Sequence, residues 1–233
     1  MSIKPLYIVM LAAAAAVLAP VLDLGPASAG DLNKQIPAPT IDPVNGAETE
    51  VAVLAGGCFW GQQGVFAHVK GVTKVVSGYS GGAKETADYD QVSSGRTGHA
   101  ESVQITFNPR EVSFGTLLRI YFSVAHDPTE VNRQGPDRGT QYRTEIFAAS
   151  PAQEETARAY IAQLDAAGIF ARPIATRVEP LKGFYPAEDY HQDYLFDNPD
   201  SAYIRINDLP KIAALERVWP QYFRAKPVLF SES

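Results

Sequence analysis

Hydrophobic residues recur along this chain with two spacings, every second residue and every third or fourth residue. The first is typical of strands that bury one face, and the second is typical of amphipathic helices. The alternating pattern, together with short apolar runs, predicts strands at residues 51–55, 72–79, 99–107, 142–149 and 174–178. Helices are predicted at residues 58–69, 114–121, between Ser150 and Gly168, and at 187–196.

The helix after residue 150 has the clearest end signals. Ser150 is a typical capping residue, Pro151 occupies the first helical position, and Gln153 completes a capping box. Its apolar stripe ends before Gly168, which is typical of a helix C-terminus.

The predicted elements begin in the order β-α-β-β-α-β, which matches the split βαβ arrangement of ferredoxin-like sheets. We therefore expect an α+β fold, a two-layer sandwich with helices on one face and an irregular C-terminal wrap. The tail beyond Pro210 contains Trp219 and an apolar run at 228–230. These residues either pack on the domain or frame access to a site.

The first residues have the pattern of a targeting segment. Lys4 precedes an apolar run at 6–19, and residues 27–29 (Ala-Ser-Ala) resemble a signal-peptidase site. The run is shorter than the roughly 20 residues that span a bilayer. We expect residues 1–29 to be a signal peptide cleaved after Ala29, and the protein to be exported, periplasmic or secreted. A retained membrane anchor is the alternative.

The rest of the chain divides into two parts. Residues 30–47 contain three prolines among small and polar residues, which predicts an extended linker. Residues 48–233 contain no second linker or repeat, which predicts a single catalytic domain. We expect this domain to be monomeric, with no stable membrane insertion after leader cleavage.

Composition and charge narrow the class of protein. Hydrophobic residues make up 45% and charged residues 20%, which is ordinary for a globular domain. The net charge is −6 and there is no basic run, so nucleic acid is not an expected partner. The single cysteine excludes an intramolecular disulfide and a zinc site built from several cysteines. The reaction implied by the family resemblance described below needs no metal and no organic cofactor.

That single cysteine is the main candidate for chemistry. Cys58 follows a strand and two glycines and opens a predicted helix, whose N-terminus favours a thiolate. The alternative is that Cys58 is a small buried hydrophobic residue, as free cysteines commonly are.

Glu101 is the candidate acid. It shares strand parity with Val103 and Ile105, so its carboxyl points toward the apolar face, where burial raises a carboxyl pKa. The alternative is a frayed strand end at which Glu101 reaches water. His99 and His126 are further acid–base candidates with weaker sequence context.

Six blocks of sequence resemble the peptide methionine sulfoxide reductase A family. The signature is Gly-Gly-Cys-Phe-Trp-Gly at 56–61, and further blocks lie at 78–82, 97–101, 126–128, 137–143 and 184–192. The resemblance covers roughly residues 50 to 200 and implies thiol-dependent reduction of methionine S-sulfoxide, peptide-bound, protein-bound or free, as oxidative protein repair. The implied catalytic residues are Cys58, Glu101, Tyr89 and Tyr142, and the implied substrate-binding residues are Phe59, Trp60 and Asp137.

The resemblance also implies a role for each of these residues. Cys58 attacks the sulfoxide sulfur and becomes a sulfenic acid, and Glu101 donates a proton to the oxygen. The two tyrosines hydrogen-bond that oxygen, the aromatic pair receives the ε-methyl group, and Asp137 contacts the substrate backbone.

The chain departs from many relatives because it has no resolving cysteine after Cys58. An external thiol reductant, either a thioredoxin-like protein or a small thiol, must therefore restore the enzyme. Two competing hypotheses remain. One is a cysteine hydrolase or acyl transferase with His99 or His191 as base, and the other is a non-catalytic peptide-binding module.

Overall fold

The computed structural model describes residues 33–43 and 46–232. Eight strands are present among them: β1 Glu50–Gly56, β2 Val72–Ser80, β3 Ala100–Phe107, β4 Arg133–Gln134, β5 Asp137–Arg138, β6 Thr144–Ala148, β7 Arg177–Pro180 and β8 Phe184–Pro186. The helices are α1 Phe59–Ala67, α2 Tyr89–Val92, α3 Phe114–Ile120, α4 Pro151–Ala166, α5 Tyr194–Asp197 and α6 Leu209–Val218.

Six strands form one mixed sheet in the order β7-β6-β1-β3-β2-β8, and β4 pairs with β5 in a separate hairpin. The β6–β7 pair is parallel and the other neighbours are antiparallel. β3 lies between β1 and β2, which α1 connects. The fold is therefore of the mixed α/β class.

The main core lies between the helices and one face of the sheet. Leu54 and Ile105 from the sheet join Phe66, Leu117 and Tyr160 from three helices in one buried cluster. The opposite face carries a much smaller cluster around Val53 and Phe147. Alternation along β3 places Glu101 on the helix-facing side with Val103.

Most predicted elements are present within a few residues of their expected bounds, and the Ser150 cap is confirmed. The Ser150 hydroxyl accepts the Gln153 backbone N–H at 3.2 Å, and Pro151 is the first helical residue. Gly168 has a φ of +60°, the left-handed conformation that ends many helices.

Three local predictions are wrong. The expected helix at 187–196 is broken, because Asp193 has a φ of +54° and separates a turn at Asp189–His191 from α5. The strand expected at 174–178 runs instead over Arg177–Pro180. Tyr142 ends a 3₁₀ turn before β6 and does not begin the strand.

The C-terminal wrap contains a regular helix, which the expectation of an irregular wrap did not include. α6 ends at Val218 and is followed by Trp219, which is 1% exposed. The Trp219 indole N–H donates to Ser123 Oγ at 2.7 Å, and the Arg119 guanidinium lies 4.2 Å from the indole centroid. The tail therefore packs on the domain.

Residues 33–43, part of the predicted linker, run without helix or strand along the surface of the domain. Ile36 is 2% exposed, and its carbonyl accepts the Arg119 Nε–H at 2.7 Å. The segment is therefore packed on the domain, which its proline content did not suggest. The predicted signal peptide lies outside the described residues, and within those residues no helix is long and apolar enough to span a membrane.

Candidate active site

Cys58 lies between the end of β1 and the start of α1, as predicted. Gly57 before it has a φ of +91°, and a Cβ there would come within 2.6 Å of Gln134 Cβ. Only glycine therefore allows this tight turn without displacing Gln134. The Cys58 side chain is 7% exposed and sits at the N-cap of α1.

Glu101 lies beside the start of the same helix. It is 3% exposed, and its Oε2 accepts the Phe59 backbone N–H at 3.1 Å. Burial raises the pKa of Glu101 to about 8, although the bond from Phe59 opposes the rise. The predicted shift is confirmed, and the alternative of a frayed, solvated strand end is wrong.

The Cys58 thiol does not have the predicted low pKa. Burial raises the pKa of Cys58 well above its ordinary value, and the nearby Glu101 and Asp208 carboxylates add to the rise. The Trp60 backbone N–H and the Lys211 ammonium oppose the rise without overcoming it. In the free enzyme the thiol therefore keeps its proton at neutral pH, because desolvation outweighs the helix N-terminus.

The two predicted tyrosines lie close to this pair. Tyr89 is the first residue of α2, and Tyr142 ends the turn before β6. Burial raises the pKa of each phenol, and negative charge on Glu101, once it ionises, raises the pKa of both further. Both therefore stay neutral hydrogen-bond donors near the sulfur.

The predicted aromatic wall, Phe59 and Trp60, packs against His191 and Tyr194. Phe59 is 1% exposed, and the Trp60 indole stacks on Tyr194 with 3.9 Å between ring centroids. The Trp60 Nε1–H donates to His191 Nδ1 at 3.2 Å, and the Phe59 ring lies 5.0 Å from the His191 ring. Both rings are therefore fixed in orientation.

Asp137 completes the predicted set. Burial raises the pKa of its carboxyl, and the Tyr203 hydroxyl donates a hydrogen bond to it. It lines a cavity of about 290 Å³ that also reaches Cys58, with Tyr203 and Lys211 on the same wall. The structure thus gathers the seven predicted residues around the β1–α1 junction that carries Cys58.

Four residues near the site were missed by sequence reasoning as site residues: Glu188, Tyr203, Asp208 and Lys211. The Glu188 carboxylate accepts the Tyr79 hydroxyl and the Tyr89 backbone N–H, each at 2.9 Å. Asp208 is fully buried and pairs with Lys211 at 3.0 Å. The block at 184–192 is a sequence signal for Glu188, whereas the other three lie after the last block of resemblance and are found only through tertiary packing.

The histidine candidates have other roles. His99 Nε2 lies 2.9 Å from the Ala83 carbonyl, and its Nδ1 accepts the Gly82 backbone N–H at 3.2 Å. His126 is buried with Thr144 at 2.8 Å, and burial lowers its pKa to about 3. Among the described residues no histidine is hydrogen-bonded to Cys58, so a cysteine hydrolase has no positioned base.

A buried thiol beside a protonated carboxyl, with neutral phenols and aromatic rings around them, defines a thiol-dependent enzyme with a built-in proton donor. The comparisons identify the family. The family model described as peptide methionine sulfoxide reductase matches residues 50–222. The chain belongs to this family, and its activity is the reduction of peptide-bound methionine S-sulfoxide.

Curated relatives and solved structures are similar over most of their length. The MsrA 2 protein of Mesorhizobium japonicum is 59% identical over 78% of this chain and 93% of that protein. The Synechocystis MsrA 2 protein is 50% identical over 83% and 92%. Methionine sulfoxide reductase A of Corynebacterium diphtheriae is 35% identical, covering 72% of this chain and 85% of that chain, with a TM-score of 0.57. Reduced Mxr1 from Saccharomyces cerevisiae is 34% identical, covering 70% and 92%, with a TM-score of 0.59.

Proposed function

We propose that Cys58 and Glu101 carry out the reduction together. The observation that carries this proposal is the buried Glu101 carboxyl, protonated at neutral pH, beside the helix start that holds the only cysteine. A protonated carboxyl is suited to giving a proton to a sulfoxide oxygen, which is a poor leaving group until it is protonated.

The proton balance follows from the two raised pKa values. The Cys58 sulfur forms a bond to the sulfoxide sulfur as Glu101 protonates the oxygen, and the thiol proton passes to the Glu101 carboxylate. Transfer of the oxygen to Cys58 then releases methionine and leaves Cys58 as a sulfenic acid. No proton leaves the site overall, which suits a pair that is neutral in the resting enzyme.

The remaining residues orient the substrate. Phe59 and Trp60 receive the ε-methyl group, because they supply the apolar surface next to Cys58. The hydroxyls of Tyr89 and Tyr142 donate to the sulfoxide oxygen. Asp137 accepts the backbone N–H of the methionine residue, and free methionine sulfoxide fits the same groups.

An external thiol completes the cycle, because the chain has no second cysteine. A thioredoxin-like protein or a small thiol attacks the sulfenic sulfur, releases water and forms a mixed disulfide. A second thiol then breaks this disulfide and restores Cys58. The enzyme works as a monomer in this cycle, with no metal or organic cofactor.

We also place this activity in an exported protein. A signal peptide over residues 1–29 would deliver residues 30–233 outside the cytoplasm, where the enzyme repairs oxidised proteins as a single catalytic domain. Detection of the mature N-terminus at Gly30 in a periplasmic or culture fraction tests this assignment.

We assign the centre of the sheet to the ferredoxin-like, split βαβ type. The support is the position of β3 between β1 and β2, together with the joint core that α1, α3 and α4 form on one face. This arrangement presents the β1–α1 junction, and with it Cys58, at one end of the sheet.

The decisive experiment combines a substitution with a thiol count. C58S is expected to abolish turnover of a peptide S-sulfoxide, because serine is a far weaker nucleophile toward sulfur. One equivalent of substrate without reductant is expected to remove the single titratable thiol of the wild type and add one oxygen to Cys58. An obligatory Cys58–Cys58 disulfide between two chains would contradict the single-cysteine cycle.

A hydrolase is tested in the same assay. Hydrolysis of an activated ester that is lost in C58S, without any sulfoxide reduction by the wild type, would support the cysteine hydrolase. Peptide binding retained in C58S with no reduction by the wild type would support the binding module.

A further inference from the structure

Three large apolar side chains are more than half exposed in the described part of the chain. Val131 is 65% exposed, Tyr190 is 62% and Ile206 is 72%, whereas the next large hydrophobic residue, Ile41, is 38% exposed. Single exposed hydrophobic residues are common on protein surfaces. The unusual feature is their position: Val131 and Ile206 lie on segments that line the cavity at Cys58, and Tyr190 lies against the His191 ring that contacts the aromatic wall.

Each of the three adjoins a wall of the active site. Val131 follows Glu130, which lines the cavity at Cys58, and Ile206 precedes Asn207, which lines it too. The Tyr190 ring lies 4.2 Å from the ring of His191. His191 in turn lies 4.6 Å from Tyr89 and accepts the Trp60 indole hydrogen bond.

We propose that Val131, Tyr190 and Ile206 form an apolar rim that binds the residues flanking an oxidised methionine in an unfolded polypeptide. This inference rests on the proposed function, since it assumes that the methionine sulfoxide side chain enters at Cys58. The rim then lies where the chain on either side of that residue must pass over the surface.

The chemistry of the substrate explains why the rim is apolar. Methionine is mostly a core residue, so the residues two positions away in a strand, or three to four away in a helix, are often apolar. Oxidation turns its side chain polar and disrupts the core, which exposes those neighbours. At about 3.3 to 3.6 Å per extended residue, two to three flanking residues reach about 7 to 11 Å along the chain from the methionine backbone. Free methionine sulfoxide has no such residues and cannot use the rim.

The test compares three substrates with two rim variants. The substrates are free methionine S-sulfoxide, a capped pentapeptide with leucine at both ends and methionine S-sulfoxide in the centre, and the same peptide with serine ends. The variants are V131S and I206S, with I41S as the matched control. Tyr190 is left unchanged because its ring contacts His191.

We expect each rim variant to raise KM for the leucine peptide by about three- to tenfold, from the loss of part of one buried apolar contact. KM for the serine peptide is expected to change less, and both kinetic constants for free methionine sulfoxide are expected to match the wild type. I41S is expected to match the wild type with all three substrates.

Two outcomes would contradict the proposal that this rim binds the flanking residues. One is an unchanged preference between leucine and serine peptides in V131S and I206S. The other is an unchanged peptide KM with slower recycling by a thioredoxin-like protein, which would assign the surface to the reductant. Absence of reduction of every substrate by the wild type would instead refute the proposed function, so the two failures are distinguishable.

Discussion

Burial has the same effect on the pKa of two acids in this site, with different consequences for each. It keeps the Glu101 carboxyl protonated near neutral pH, which suits a proton donor. It also keeps the Cys58 thiol protonated, which makes it a poorer nucleophile until a substrate arrives. The site therefore limits reaction of the resting thiol with other oxidants and electrophiles, and in the proposed mechanism coupled proton transfer with Glu101 activates it.

Glu101 gives the clearest prediction for a single residue. E101Q keeps the shape and the acceptor for Phe59 but cannot release a proton, so single-turnover reduction is expected to fall by roughly 100-fold or more. In the wild type the same rate is expected to decline as the pH rises through about 8, where Glu101 loses its proton. Rapid-quench measurement of methionine formation without reductant checks both.

The same variant makes a prediction for stability. The folded-state pKa of Glu101 lies above its ordinary value of 4.5. The stability that the neutral carboxyl contributes is therefore fully present below pH 4.5 and is lost as the pH rises through about 8. Glutamine does not ionise, so E101Q does not lose this stability at higher pH. The difference in Tm between E101Q and the wild type is therefore expected to increase in favour of E101Q between pH 5 and 9. A gap that does not change with pH would contradict a raised pKa.

At the scale of elements, the segment at 184–193 makes hydrogen bonds that position two parts of the site, the start of α2 and the Trp60 indole. Glu188 holds the Tyr89 backbone and the Tyr79 hydroxyl, and His191 holds the Trp60 indole. Burial lowers the pKa of His191, so its ring stays neutral and Nδ1 accepts the indole hydrogen bond. This turn therefore positions Trp60 of the proposed methyl-binding wall and the backbone of Tyr89.

His191 is accordingly predicted to act on binding more than on chemistry. H191L leaves the Trp60 N–H without its acceptor, at a cost of about 1–3 kcal/mol, and is expected to raise KM for free methionine sulfoxide with a smaller change in kcat. H191N retains an acceptor and is expected to recover part of the affinity. Trp60 fluorescence in a W219F background reports the freed indole, since the chain has two tryptophans.

A control separates this effect from a general loss of packing. His68 is also buried, and its ring stacks on Phe223. It caps the C-terminus of α1, whereas Cys58 lies at the N-terminus of the same helix. H68L is expected to lower Tm without changing KM. An equal rise in KM for H68L and H191L would show that His191 has no specific positioning role.

The elements that sequence reasoning located correctly are those whose signals are local. The Ser150 cap is defined within four residues, and the direction of Glu101 follows from alternation along one strand. The prediction of a helix at 187–196 is wrong because Asp193 adopts a left-handed backbone conformation. In that conformation its backbone N–H donates to Gln63 and its carboxylate accepts the Phe230 backbone N–H, both distant in sequence. No local pattern contains those contacts.

Local sequence patterns also predict only part of the site. Cys58 and Glu101 were identified from their own strand and helix, whereas Tyr89 and Asp137 depended on the family resemblance. Tyr203 and Asp208 lie after the last block of resemblance and reach the site through tertiary contacts, since Tyr203 donates to Asp137 and the Asp208 charge acts on Cys58. Leu215 and Val218, spaced by three before the buried Trp219, were the available signal for α6.

At the scale of the whole molecule, residues 33–43 tie together helices that are far apart in sequence. The Tyr160 hydroxyl of α4 donates to the Pro37 carbonyl at 2.6 Å, and Arg119 of α3 donates to the Ile36 carbonyl. Gln35 donates to the Val218 carbonyl at the end of α6 at 3.1 Å. The segment therefore contributes to folding of the domain, although its composition resembles a linker.

Two isoleucines of this segment test its contribution, because Ile36 is 2% exposed and Ile41 is 38% exposed. I36A removes a side chain from the main core and is expected to cost roughly 2–4 kcal/mol of unfolding free energy, whereas I41A is expected to cost less than about 1 kcal/mol. Denaturant unfolding measures both, and turnover of free methionine sulfoxide well below Tm is expected to be unchanged, because neither residue belongs to the proposed active site. Equal small losses would mean that the segment only rests on the domain, and the fold would then begin at β1.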